Sequence, residues 1–149
     1  MKYIIFVILI TISHMVFADS NQEVNKLFFN AMIKGNAIHV HNFINQGADI
    51  NMQVGSERDT ALMIAVARQD LEILILLISS GADVNAKNDL GNTVLYYASK
   101  YGLADIVNIL IFSGADVNIK NIQSQTALSI AKKNEHTEVV QLLIQSGAK

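Results

Sequence analysis

Three aspartates recur in one sequence context: Asp49 in "GADIN", and Asp83 and Asp116 in two copies of "GADVN". Carboxylates repeated in this way could ligate a metal or share acid–base work. Either use needs convergence, because a metal ion draws its ligands to within about 2–2.6 Å. The glycines that open the motif, Gly47, Gly81, Gly114 and Gly147, are separated by 34, 33 and 33 residues. Units repeated at that period stack about 10 Å apart, the spacing of packed helices. The aspartates would then run as a ladder along the stack and would not meet. Asp and Asn in this setting are expected to satisfy turn backbone through Asx-turns.

The histidines offer no better metal site. His39 and His41 lie two residues apart, so on a helix they point in different directions. His136 is far from both along the chain, and His14 sits in the apolar N-terminal stretch. Surface or helix-end positions suit them. The chain has no Cys, which removes a disulfide framework, a Cys-based zinc site and a Cys nucleophile. It also lacks a G-x-S-x-G elbow, a phosphate-binding glycine loop and H-E-x-x-H. No cofactor or small-molecule substrate is expected, and a repeat leaves few residues from which to build a pocket.

The elements that carry these residues follow from a second landmark. Thr60, Thr93 and Thr126 open "TALM", "TVLY" and "TALS", each 33 residues from the next and 21 before the downstream glycine. Between the landmarks, "LEILILLISSGADVN", "LADIVNILIFSGADVN" and "TEVVQLLIQSGAK" are apolar at helical spacing. Leu76-Leu77, Ile109-Leu110 and Leu142-Leu143 occupy equivalent places, as do Ala65, Ala98 and Ala131, where a small residue lets two helices approach. Each unit therefore predicts a helix, a short turn, a second helix and a loop. Thr is a good N-cap, worth about 1 kcal/mol. Gly supplies the left-handed residue that ends the second helix. One unit cannot bury its own apolar face; about three stacked units can.

The 33-residue period, the T-x-L-x-x-A opening and the L-L-x-x-G-A-D-V-N close resemble the ankyrin-repeat family. The resemblance covers about residues 22–149 and implies an all-α solenoid of helix-turn-helix repeats joined by β-hairpin-like loops. The approximate repeats are 22–52, 56–86, 89–119 and 122–149. The first, "LFFNAMIKGNAIHVHNFINQGADIN", lacks the Thr landmark and looks like a divergent capping repeat, with Ala31, Gly35, Phe43 and Ile44 at matching positions.

There are departures. The family's Thr-Pro-Leu-His has Ala61, Val94 and Ala127 in place of Pro, and Met63, Tyr96 and Ser129 in place of His. Loss of that His is expected to remove an inter-repeat hydrogen bond and to leave modest stability. The inter-helix Gly is kept at Gly35 and Gly102 but becomes Gln69 and Glu135. The stretch Met52–Asp59 is one residue longer than its counterparts, which predicts a bulge in the first inter-repeat loop.

The resemblance also implies a function: protein binding, without catalysis, through the concave face of the stack. Partner contacts in such proteins come from the hairpin tips and the exposed positions of the first helices. Carried over by position, these are Arg58, Asp59 and Arg68 in the second repeat. In the third they are Lys87, Asp89, Leu90, Asn92, Lys100 and Tyr101, and in the fourth Lys120, Ile122, Gln123, Gln125, Lys133 and Asn134. Roughly a third should touch a partner, since few surface residues carry binding energy. Ile75 and Phe112 align with polar residues of the other repeats. They mark a second contact, pack under the N-terminal segment, or are ordinary scattered apolar residues. An enzyme with an atypical site stays open as a lesser alternative.

Net charge is −2 over 149 residues, with acids and bases interspersed and no basic run, so the footprint of a nucleic-acid binder is missing. The N-terminus is distinct. "MKYIIFVILITISHMVFADS" has Lys2, an apolar run from Tyr3 to Ile12, and small or β-branched Val16 and Ala18 before Asp19. This is a secretory signal pattern over residues 1–18, leaving a domain of 19–149. Cleavage near Ala18 would remove the charge of Lys2, taking the net charge from −2 to −3. The run is shorter than the roughly 20 residues that span a bilayer, yet an uncleaved anchor, and so a membrane-tethered scaffold, is the alternative. Otherwise the membrane would be met only during export to the periplasm or medium. A composition rich in Ile and Asn, without Cys, Pro or Trp, resembles that of ankyrin-repeat proteins from host-associated bacteria.

Overall fold

The computed structural model of the chain describes residues 21–149. The signal segment expected over residues 1–18 lies outside them. Among the described residues no helix is long and apolar enough to cross a membrane. The chain divides after Asp49 into two compact units.

In the first unit, α1 (residues 21–34) and α2 (Ala37–Asn45) form a helical pair. Phe28, Ala31, Met32 and Val40 supply its buried side chains. The turn passes through Gly35 at φ +67°. Asn36 caps α2, its Oδ1 accepting from the His39 N–H at 3.0 Å. His39 and His41 diverge as expected: His39 stacks on Phe43, while the His41 Nε2 lies 3.1 Å from the Asn45 Nδ2.

The second unit holds a two-stranded hairpin and three further helical pairs. The elements are β1 (Gln53–Val54), β2 (Asp59–Thr60), α3 (Ala61–Arg68), α4 (Leu71–Ser79), α5 (Val94–Lys100), α6 (Ala104–Phe112), α7 (Ala127–Lys133) and α8 (Thr137–Gln145). Within each pair the helices pack on one another; along the stack α5 packs on both α3 and α7, and α6 on α8. Ala65, Ala98 and Ala131 are fully buried, so the first helices approach closely where the sequence placed its small residues. Leu77, Leu110 and Leu143, the second members of the apolar pairs, are likewise fully buried.

Local chemistry starts and stops each helix. The Oγ1 atoms of Thr60, Thr93 and Thr126 accept from the N–H groups of Met63, Tyr96 and Ser129 at 3.4, 3.3 and 3.1 Å. The second helices end in Schellman turns: the Gly114 N–H donates to the Ile111 carbonyl and the Ala115 N–H to that of Leu110, both at 3.0 Å. Gly114 has φ +91°, which only glycine adopts without strain. The same pair of bonds recurs at Gly47, Gly81 and Gly147. At the inter-helix turn, Gln69 and Glu135 hold left-handed φ of +55° and +60° where Gly102 has +72°.

Two expectations change. The loops are hairpin-like in different degrees. The longer stretch Met52–Asp59 does not simply bulge; it forms the β1–β2 ladder, with Gln53 opposite Thr60 and Val54 opposite Asp59. The shorter loops form no ladder and close with two backbone bonds each: the Asn88 N–H donates to the Asn92 carbonyl and the Gly91 N–H to that of Asn88, and the Asn121 N–H donates to the Gln125 carbonyl and the Ser124 N–H to that of Asn121. The lost His is also replaced in part. The Tyr96 hydroxyl reaches the next repeat and donates to the Gln125 Oε1 at 3.0 Å, whereas Met63 and Ser129 return their side chains to the caps of their own helices.

Candidate functional site

The repeated aspartates are turn residues. The Asp83 Oδ1 accepts from the Asn85 N–H at 2.8 Å and the Asp116 Oδ1 from the Asn118 N–H at 2.9 Å, two Asx-turns. The asparagines of the motif then reach one repeat further. The Asn85 side chain accepts from the Asp116 N–H and donates to the Gly114 carbonyl, and Asn118 treats Lys149 and Gly147 in the same way. These carboxylates serve successive turns of the stack.

The hairpin tips and first helices enclose something different. A cleft of about 390 Å³ lies over α5. Tyr97, Lys100 and Tyr101 of α5 form its floor, and Glu57 and Asp59 of the hairpin and Leu90, Ile122 and Gln123 of the following loops also line it. Position on α5 explains the floor. Tyr97 and Tyr101 are four residues apart, hence on one helix face, and their rings stack with centroids 6.3 Å apart at 24°. Tyr96 meets Tyr97 edge-on at 5.8 Å. The Lys100 Nζ sits 5.7 Å from the centre of the Tyr101 ring, in cation–π range.

A polar network holds the cleft in shape. The Asn88 Oδ1 accepts from the N–H groups of Leu90 and Asn92, and its Nδ2 donates to the Asp59 Oδ1 at 2.7 Å and to the Tyr97 hydroxyl at 3.1 Å. Asn121 repeats the arrangement one unit on, accepting from Gln123 and Gln125 and donating to the Asn92 Oδ1 at 2.8 Å. Backbone joins tip to tip: the Asp89 N–H donates to the Glu57 carbonyl at 2.9 Å, and the Ile122 N–H to the Leu90 carbonyl at 3.1 Å. Gly91 belongs to this contact, because a Cβ there would stand 3.1 Å from the backbone of Asn121 and Ile122. Burial pushes the Tyr97 phenol above its ordinary pKa of 10.0, and the carboxylates of Asp59 and Glu57 push it the same way against the bonds from Asn92 and Asn88. Burial alone raises Tyr96.

Comparison with known proteins fits this architecture. A model of ankyrin repeats in three copies matches residues 27–121, and a single ankyrin-repeat model matches residues 123–149. The chain belongs to the ankyrin-repeat family. It is similar to Notch-regulated ankyrin repeat-containing proteins A and B of Danio rerio, at 33% and 34% identity over 85 residues. Those alignments cover 55% of this chain and 76% and 77% of the relatives. It is also 39% identical over 81 residues to Protein HOS4 of Saccharomyces cerevisiae, covering 54% of this chain but only 7% of that protein's length.

Within this ankyrin-repeat chain the residues carried over as contacts separate. Leu90, Lys100, Tyr101, Ile122 and Gln123 line the cleft and are exposed. Arg58 is exposed at the tip between β1 and β2, where it holds φ +54°. Arg68, Asp89 and Lys133 are exposed, Arg68 and Lys133 as the last residues of α3 and α7. Asn92 is buried where an exposed position was expected: it lines the cleft but is only 6% exposed, and its side chain is engaged with Asn121 and Tyr97. Gln125 is half-buried and accepts from Tyr96 and Asn121. Lys87 and Asn134 are exposed but donate to the carbonyls of Lys120 and Lys100.

Glu57, Tyr96, Tyr97, Asn88 and Asn121 were missed. For Tyr97 and Tyr101 the four-residue spacing was a usable signal. For Asn88 and Asn121 the clue was the 33-residue step between them. His136 is more than a helix-end residue: its Nε2 lies 3.0 Å from the Lys100 carbonyl, and its ring fills the space beside Gly102.

Proposed function

We propose that this chain is a non-catalytic protein-binding module that engages its partner through the cleft over α5. One observation carries the reading: Tyr101, Leu90 and Ile122 are 45%, 36% and 69% exposed and all border one cleft. Large exposed side chains brought together on a polar surface are the composition of a contact. The neighbouring amides of Asn92, Asn121 and Gln125 are engaged with one another and that of Asn88 with Asp59 and Tyr97, which supports a shaped surface over a reactive one.

Affinity capture tests this. The native chain and a Tyr101→Ala/Ile122→Ser variant are compared on lysate of the producing cells and of any host. A partner held by the native chain and lost by the variant, with unchanged circular dichroism, is expected. A partner held equally by both overturns the assignment of the face.

We further propose that the chain is exported after cleavage near Ala18. Lys2, the apolar run Tyr3–Ile12 and the residues Val16 and Ala18 support it. The same apolar run supports tethering if it is retained. Mass spectrometry of the native N-terminus separates the two, since a chain beginning near Asp19 ends the tethered reading. The Ile- and Asn-rich composition supports a host-associated bacterial source; the relatives compared above come from zebrafish and yeast.

A further inference from the structure

We propose that the cleft over α5 accepts an arginine side chain presented by a partner peptide with apolar residues beside it. This deepens the protein-binding reading above and rests on it. The floor is aromatic, with the nearly parallel rings of Tyr97 and Tyr101, and a planar guanidinium stacks on such faces. The ring already has a cation beside it, the Lys100 ammonium lying 5.7 Å from the Tyr101 centre. Part of the lining is acidic. Glu57 is exposed and Asp59 half-buried, and both act electrostatically on the Tyr97 phenol. The charged groups lining the cleft are Glu57, Asp59 and Lys100, which leave it net negative. The same lining presents Leu90 and Ile122, both exposed, which suit apolar residues next to the arginine. A volume of about 390 Å³ is within the range of sites that enclose small ligands or side chains.

The geometry also explains why a guanidinium is favoured over a second ammonium. Carboxylates take the guanidinium fork through paired hydrogen bonds, whereas an ammonium is a point charge on a flexible stem. Lys100, exposed and lying against the Tyr101 ring, is the group that an incoming arginine displaces from it.

The test uses synthetic peptides of one design, with a central residue flanked by leucines, titrated into the native chain by calorimetry and followed by the chemical shifts of the tyrosine rings. The central residue is arginine, its neutral isostere citrulline, lysine or glutamate. The arginine peptide is expected to bind and to shift Tyr97 and Tyr101. Citrulline is expected to weaken binding about tenfold, lysine less, and glutamate to abolish it. Glu57→Gln with Asp59→Asn is expected to weaken the arginine peptide about fivefold, and added salt should do the same. Asp59→Asn keeps an oxygen for Asn88, so the loop is retained. Lys100→Ala is expected to strengthen binding by about threefold, by freeing the Tyr101 ring.

Equal binding of the citrulline and arginine peptides, or indifference to the Glu57/Asp59 pair, overturns the arginine reading. A lysine peptide that binds as tightly as the arginine peptide overturns the guanidinium preference. If a captured partner is lost on Tyr101→Ala/Ile122→Ser yet ignores the two carboxylates, the binding face stands and only the arginine inference falls. If neither peptide nor partner senses the face, both fall.

Discussion

The Asn85 side chain clasps the next repeat, its Oδ1 accepting the Asp116 N–H at 2.8 Å and its Nδ2 donating to the Gly114 carbonyl at 3.0 Å. Asn85 lies 31 residues before Asp116, so this one side chain joins two repeats that local hydrogen bonding cannot join. Asn85→Ala removes both bonds. A destabilisation of about 1–2 kcal/mol is expected in urea unfolding, from two net hydrogen bonds at about 0.5–1.5 kcal/mol each. Asp116→Asn keeps an acceptor for the Asn118 N–H and is expected to be nearly silent for both stability and partner binding. A large functional loss in a folded Asp116→Asn protein would return chemistry to the carboxylate.

Gly114→Val isolates backbone strain. A Cβ at Gly114 meets nothing within 4 Å, so the only obstacle is φ at +91°. A loss of about 1 kcal/mol or more is expected on denaturant unfolding. Gly102→Ala should cost more, because its Cβ would fall 2.6 Å from the His136 ring in addition to the strain at φ +72°.

The reverse change should stabilise. Gln69 and Glu135 occupy the left-handed turn that glycine holds in the other repeats. Gln69→Gly and Glu135→Gly are each expected to raise stability by about 0.5–1 kcal/mol, the left-handed penalty less the chain entropy of glycine. A lowered melting temperature for both variants would contradict this.

Asn88→Ala leaves the Asp59 carboxylate and the Tyr97 hydroxyl without their shared donor and releases the N–H groups of Leu90 and Asn92. Unsatisfied groups that are partly or fully buried cost about 1–3 kcal/mol. The variant is expected to lose stability in that range and also to weaken the captured partner, because the tip that carries Leu90 loses its support.

The tyrosines predict a pH effect of definite sign. Burial raises Tyr96 and Tyr97 above 10.0 in the folded chain, so the protonated phenol is favoured by folding. Their contribution is fully present below about pH 10 and is lost as pH rises through the folded values. Tyrosinate absorbance of the native chain should therefore develop at higher pH than that of the urea-unfolded chain, and Tyr97→Phe should reduce the difference.

Much of the fold was legible because its determinants are local or periodic. Thr60, Thr93 and Thr126 cap helices, and Gly81, Gly114 and Gly147 end them, through bonds that span a few residues. The candidate site was legible only in part. Tyr101, Lys100, Leu90 and Ile122 could be placed by repeat position. The burial of Asn92 could not, since its partner Asn121 lies 29 residues away. The substituted His position misled for the same reason, because Tyr96 recovers a bond between repeats only when Gln125 is stacked beside it.

The amino-acid order alone therefore establishes the period, the helix starts and stops, the stacking and the structural use of "GADVN", since dihedral preference, capping and apolar spacing act within one repeat. Tertiary structure alone decides which side chains are free. A tip residue of one repeat faces the tip of the next, so whether an amide is spent on a neighbour, as in Asn92, or a ring is left open to a partner, as in Tyr101, depends on the distance between stacked units, which no single repeat contains.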